Sequence, residues 1–405
     1  MKNIYKSIPL LFIAIAISGF YTSCKKDKTS GIPQVSYVRV TDPAKSDSLL
    51  TGSYLGTVIA IRGANLGDVK EIWFNDQKAS LNPTYITDQT ILVTIPDTIP
   101  KIVTNKIKLI YGNMDTMAVD FKVLVPAPTA QSMVCEYVND GDTATIDGDY
   151  FLNDPNIPLQ VIFPGNIQAT IVKASKTELL VVVPTGAGKG RITVKSLYGP
   201  GLSKFYFRDD RNMILDFDNL TAAGGWRAGV MGHSAPASIS GNYVRFTGVI
   251  PANGGDWTSA EDPFSFDFWP IANGRPKAPL YTGDLTNAEL KFECNVTSPW
   301  QAGALQMIFT PYLTTGANGY IGDVNVPRGL WMPWQATGSF STKGWVTVAI
   351  PLSTFTYSWY GAICATKLTQ DMLYGLTFFV LAGGVNGTSC TPDICIDNIR
   401  IVPIQ

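Results

Sequence analysis

Aromatic rings set among amides, hydroxyls and prolines recur through the second half of this chain. Pro299-Trp300-Gln301, the stretch from Arg328 through Trp331 and Trp334 to Gln335, and the stretch from Tyr357 to Tyr360 are the densest groups. Trp257 and Trp269 add single rings. An indole or phenol offers a flat apolar face beside a polar edge, and neighbouring Gln and Arg side chains supply hydrogen-bonding groups. That combination suits a ligand with apolar C–H faces and many hydroxyls, which is a sugar chain. Most of these groups lie in Gly-, Pro- and Ser-rich stretches, so they are expected on loops, where a rigid scaffold carries its binding residues. Trp331, Trp334 and the Trp359–Tyr360 pair are the expected ring contacts, with Gln301, Arg328 and Gln335 as polar neighbours. Trp345, inside an alternating run, is expected in the core, with Trp226 and Trp269 capping or lining it.

Other chemistries find less support. His233 is the only histidine of the chain, so a His-rich metal centre is excluded. A glycosidase needs only two carboxylates at a set separation. Asp216, Asp218, Glu261, Asp262, Asp267, Glu293 and Asp323 are available, but none sits in a recognisable catalytic motif. The chain is therefore read as non-enzymatic and without a cofactor, a hydrolase or lyase being the lesser alternative. Asp216, Asp218 and Asp397 fall on the opening and closing strands of one domain, and oxygen clusters of that kind suit a structural Ca²⁺. The alternative for them is strand capping or pairing with Arg208, Arg211 or Arg400. The six cysteines have no nearby histidine, and Cys390 and Cys395 are spaced to close a small loop.

These residues need a scaffold. Charged residues make up 16% of the 405 positions, below the roughly 25% of ordinary soluble domains. Net charge is −1, which argues against a nucleic-acid partner. Short Val/Ile/Thr/Tyr/Phe runs broken by Gly, Asn, Asp and Pro predict an all-β protein. A repeat is visible in the first half. Thr57–Leu66 matches Asp142–Phe151, Thr87–Pro96 matches Ser175–Pro184, and Tyr111-Gly112 recurs as Tyr198-Gly199. One small β-sandwich per repeat fits that spacing. The strand–Gly–x–Asn/Tyr–Leu/Phe turn, the following strands Glu71–Phe74 and Leu159–Phe163, and the Pro-closed alternating strand resemble the IPT/TIG family of immunoglobulin-like domains. The resemblance covers two domains, 32–125 and 126–208, read as spacers, with Gly63 and Gly148 expected at positive φ. Eight of the nine tryptophans lie beyond Asp209. Residues 209–405 are expected to form a larger jelly-roll-like β-sandwich, closed by pairing of Met213–Asn219 with Ile394–Val402.

The N-terminus carries an address. Lys2 and Lys6, the apolar run Ile8–Ile17 and small residues Thr22 and Ser23 precede Cys24, as in a secretory signal. This looks like a bacterial lipobox, with Cys24 as the acylated residue, 1–23 as signal and 24–31 as a polar tether. Leu290–Phe309 and Trp331–Ser353 are similar to the C-terminal domain of Bacteroidetes surface glycan-binding proteins. That resemblance implies a lipid-anchored, outer-membrane, cell-surface protein that captures a polysaccharide, of β-glucan or xyloglucan type. It implies as partners the outer-membrane transporter and glycanases of the same utilisation system. It also places an aromatic platform on Trp300, Trp331, Trp334, Trp359 and Tyr360. A surface adhesin or structural spacer with a protein partner is the competing expectation. A large apolar patch rimmed by charge would favour it.

Overall fold

The computed structural model describes residues 31–220, 230–232, 234–255, 265–271, 274–315 and 323–405. Cys24, Trp226, His233, Trp257, Glu261 and Asp262 lie outside them. The protein is all-β, and its described helices are single 3-10 turns. It forms two compact units, one ending at Pro126 and the other running Ala127–Gln405.

The first unit is one sandwich. Strands Gln34–Val40, Val58–Ala64 and Thr90–Thr94 form one sheet; Gln77–Lys78, Val69–Phe74, Lys106–Tyr111 and Thr116–Asp120 form the other. Period-2 alternation turns Ile59, Ile61, Ile91 and Val93 from one sheet towards Ile72, Phe74, Ile107 and Leu109 from the other. The second repeat builds the same sandwich around Ile146, Val161, Phe163, Val181 and Phe207. Phe163 and Phe207 meet edge to face at 4.9 Å.

Gly63 and Gly148 do matching work in the two repeats, but not the work expected of them. Neither has positive φ; Asn65 (φ 56°) and Tyr150 (φ 58°) take the left-handed conformation two residues later. The glycines are required by contact instead. A Cβ would lie 1.9 Å from the Gln34 carbonyl oxygen at Gly63 and 2.0 Å from that of Thr129 at Gly148. Both contacts fall at a bulge in the pairing with the opening strand of the repeat.

The C-terminal domain packs two antiparallel sheets. One contains Val230–Gly232, Tyr243–Thr247, Asp393–Pro403, Ala288–Ser298 and Val346–Pro351, with Met213–Leu215 also paired to Asp393–Pro403. The expected closure is present, Met213 standing opposite Arg400. The other sheet runs Ser265–Phe268, Gly375–Leu381, Ala304–Thr310 and Arg328–Trp331. Phe292 of the first meets Phe378 of the second at 5.6 Å, and the core between them holds Phe246, Phe266, Leu305, Met307 and Ile396.

The second immunoglobulin-like domain is fused to this sandwich by a buried ion cluster. Arg400 is fully buried and grips Glu293 with two bonds of 2.8 and 3.0 Å. Its Nη2 also donates to Glu136 of the second repeat at 2.7 Å, and Lys291 donates to the other oxygen of Glu136 at 2.8 Å. Thr347 Oγ1 accepts the Glu136 backbone N–H at 2.7 Å and donates to Glu293 at 2.9 Å. Beside the ions, Cys135 and Tyr137 pack with Tyr243, Trp345 and Cys395. Trp345, expected in the sandwich core, lies in this joint, its indole N–H donating to the Ala237 carbonyl at 2.8 Å. The second repeat, read as a spacer, therefore belongs to the same compact unit as the third domain. Charges this deep stay folded only while paired, so removing one partner strands the others. Arg400→Ala is expected to destabilise the 127–405 unit by roughly 3–5 kcal/mol. Chemical denaturation followed by tryptophan fluorescence checks this, and a loss under about 1 kcal/mol would show that the ions do not hold the joint.

Candidate glycan-binding site

The four-stranded sheet carries an unusual polar row. Gln306 interrupts the apolar strand Ala304–Thr310 and is fully buried. Its Nε2 donates to the carbonyls of Trp359 and Leu381, both at 3.2 Å, and its Oε1 accepts from Arg328 at 3.0 Å. Arg328 is 0% exposed. Its guanidinium also donates to the Asp323 carbonyl at 3.2 Å and lies 5.7 Å from the centre of the Trp359 ring. The Arg328 and Tyr357 backbones exchange two hydrogen bonds. Arg328 thus pins two loops, one leading from Asp323 and one carrying Tyr357–Ile363.

Those loops meet a glycine bend at the end of the neighbouring strand. Gly383 and Gly384 have φ of 103° and 77°. A Cβ on Gly384 would lie 2.1 Å from the Tyr360 carbonyl oxygen, and one on Gly361 2.4 Å from that of Gly383. Met332 borders the same bend, its sulfur 3.2 Å from where a Gly383 Cβ would stand. The segments 331–334, 359–361 and 382–384 therefore share one rim of the sandwich, a place that only residues without side chains allow.

The expected contact residues divide sharply on this rim. Trp300 (0% exposed), Trp334 (4%) and Trp359 (6%) belong to the hydrophobic core, although all three come from loop-like sequence. Two of the buried indoles are satisfied internally, Trp300 Nε1 donating to Ala302 at 2.6 Å and Trp334 Nε1 to Gly303 at 2.7 Å. Arg328 is likewise a buried brace rather than an exposed contact. Trp331 is half-buried, seated edge-on against Phe292, Trp300 and Phe340 at 5.6–5.8 Å. Tyr360 is 66% exposed and stands perpendicular to Trp359 at 5.8 Å. Gln335 is exposed, and Gln301 is half-buried, its N–H donating to the Cys390 sulfur. Gln306, which carries the brace, was missed; its signal is a lone amide inside an apolar strand.

The three acids suggested for Ca²⁺ are engaged separately. One Asp216 oxygen accepts the N–H groups of Asp218, Asn219 and Leu220, and Asp218 accepts from Asn242. Asp397 accepts from Ser240 Oγ at 2.9 Å and from the Asn398 N–H at 2.7 Å. Among the described residues no three His, Cys, Asp or Glu side chains converge on a possible metal position. Cys390 and Cys395 are both buried free thiols, with no disulfide between them. Of the candidate catalytic acids, Glu293 belongs to the interdomain ion cluster and Asp267 accepts from buried Thr377 at 2.7 Å.

Fold and rim together describe a β-sandwich binding module carried on immunoglobulin-like domains. A family model described as the surface glycan-binding protein B xyloglucan binding domain matches residues 207–403. The crystal structure of the surface glycan-binding protein PbSGBP-B from Prevotella bryantii is 31% identical, covering 93% of this chain and 100% of that one, with a TM-score of 0.79. An IPT/TIG domain-containing protein of Bacteroides ovatus is 34% identical over 163 residues. That match spans 37% of this chain and 33% of the relative's length. The chain belongs to the surface glycan-binding proteins, a cell-surface family whose matched members are named for binding rather than for catalysis.

Two stability measurements follow from this geometry. Trp334→Ala should cost about 3–5 kcal/mol, as for any large buried ring. Tyr360→Ala should change stability by no more than about 0.5 kcal/mol. Equal losses in denaturant unfolding would contradict the division of roles. Burial pushes the Asp397 carboxyl up to about 8 from its ordinary 3.8, against the pull of Ser240 and Asn398. The folded state then holds a proton that the unfolded chain has released. The corresponding stability is full below about pH 4 and is lost as pH rises through about 8. Asp397→Asn should flatten that fall; an unchanged pH profile of the melting temperature would assign it elsewhere.

Proposed function

We propose that this protein captures a xyloglucan-type β-glucan at the bacterial surface and does not cleave it. The observation that carries the reading is the xyloglucan-binding family model spanning nearly the whole C-terminal domain, 207–403. The glycan lies along the rim at Gly383–Gly384. Tyr360 supplies the stacking face, Trp331 a second, half-buried edge, and Gln301 and Gln335 the hydrogen bonds to sugar hydroxyls. Trp300, Trp334, Trp359 and Arg328 act beneath them, fixing where those groups stand. Cys24 is the acylated residue that anchors the chain to the outer membrane. The transporter and glycanases of the same polysaccharide-utilisation system receive and process what it holds.

Affinity electrophoresis through gels containing xyloglucan, mixed-linkage glucan, mannan or an α-glucan tests the proposal. Retardation by xyloglucan is expected, weakened about tenfold or more in Tyr360→Ala, corresponding to about 1.4 kcal/mol. Retardation that survives in Tyr360→Ala would place the glycan elsewhere. Shortening of the polymer during the run would make the protein an enzyme.

A further inference from the structure

The two immunoglobulin-like repeats differ in one element, and the difference opens a groove on the first. In the second repeat, Ser175 N–H bonds the Glu178 carbonyl and the chain runs back as a strand. Ala174, Lys173, Ile171 and Thr170 pair in turn with Leu179, Leu180, Val181 and Val182. In the first repeat the same hairpin begins identically, with Thr87 N–H on the Thr90 carbonyl and Ile86 opposite Ile91. The ladder stops there. Pro83 has no N–H to give it, and Asn82 caps a 3-10 turn over Pro83–Tyr85 through its bond from the Thr84 N–H at 3.0 Å. The edge of Thr90–Thr94 is left uncovered beyond Ile91. Since Ile95 N–H turns inward to Thr57, ladder alternation turns the N–H and C=O groups of Leu92 and Thr94 towards the open side.

Beside that edge, and reaching across the sheet to Val58 opposite Thr94, lies a groove of about 420 Å³. Leu92 and Val58 floor it, Thr41, Ser80, Asn82 and Thr94 rim it, and Tyr85, 55% exposed, stands at its wall. No charged side chain lines it among the described residues. Asn82 commits its oxygen to Thr84, and its amide N–H groups have no partner among the described residues. An aromatic face, an apolar floor, hydroxyls, a free carboxamide and backbone donors and acceptors, all uncharged, suit a neutral polyhydroxylated ligand. A peptide would find a ladder of only two outward residues, Leu92 and Thr94, before the strand ends. We propose that this groove is a second sugar subsite, holding a further stretch of the same neutral glycan against Tyr85. The proposal rests on the glycan-capture reading for its ligand and assigns to the first domain more than the spacing role. Two weak subsites on one polymer raise its retention well above that of either.

Hydrogen–deuterium exchange of the full chain, with and without xyloglucan oligosaccharides and with the polymer, tests it. Two separate segments should exchange several-fold more slowly with sugar: one covering Ser80–Thr94 and one covering Tyr357–Gly387. Tyr85→Ala should abolish the first and leave the second. Slowing confined to the C-terminal segment would overturn the second subsite while leaving capture intact. Slowing at Ser80–Thr94 that survives Tyr85→Ala would overturn the stacking assignment. Slowing there that tracks protein concentration and ignores sugar would mean that a second chain pairs with the edge, which also overturns it. Slowing at neither segment would bring down the capture reading and this proposal together.

Discussion

Arg400 sits where water cannot reach and where two acids must meet it. Its guanidinium holds Glu293 of its own sandwich and Glu136 of the preceding domain, and Lys291 balances the second acid. Each ion loses its hydration, so the cluster persists only as a complete set with good geometry. It is weak evidence for added stability, but it constrains arrangement strongly. Any rotation of the second repeat against the C-terminal sandwich would separate Glu136 from Arg400 and leave buried charges unpaired. The contact between Cys135, Tyr137, Tyr243, Trp345 and Cys395 packs beside it. The placement of the second repeat against the C-terminal sandwich is organised by that requirement.

The same logic recurs, without a second pair of charges, under the candidate rim. Gln306 and Arg328 are costly to bury unless satisfied, and the groups that satisfy them include two loop carbonyls, those of Trp359 and Asp323, beside that of Leu381 at the end of its strand. Irregular backbone, which would otherwise fray, is therefore tied to the centre of a sheet. The glycine bend at 383–384 then lets three such segments approach closely. Burying Trp300, Trp334 and Trp359 puts the largest side chains into holding the rim, leaving Tyr360 to face outward.

Much of this order was legible in the sequence. The all-β class, the repeat and the closure of the last domain by its first and last strands follow from alternation and internal matching, which are local signals. Whether a tryptophan in loop-like sequence faces water is not local. Trp334 is buried because the Gly303 carbonyl, thirty-one residues earlier, is placed to accept its N–H, and only the folded chain brings them together. Gly63 and Gly148 were recognisable as obligatory, but a close approach and a positive φ leave the same glycine in the sequence. The ion cluster left a fainter trace, Lys291 and Glu293 alternating with apolar residues in a strand, and Glu136 lying 264 positions from its partner Arg400. The Asn82-Pro83 pair, where the other repeat has a strand, was the readable sign of a missing ladder.

A rim braced in this way is ordered before the proposed ligand arrives. Binding costs rise with each side chain and loop that must be immobilised, and here the braces have met those costs during folding. On the proposed capture of a polymer, a stiff rim with few exposed rings would favour recognition without slow departure. Retention can then come from the number of contacts along one chain rather than from the strength of any single one.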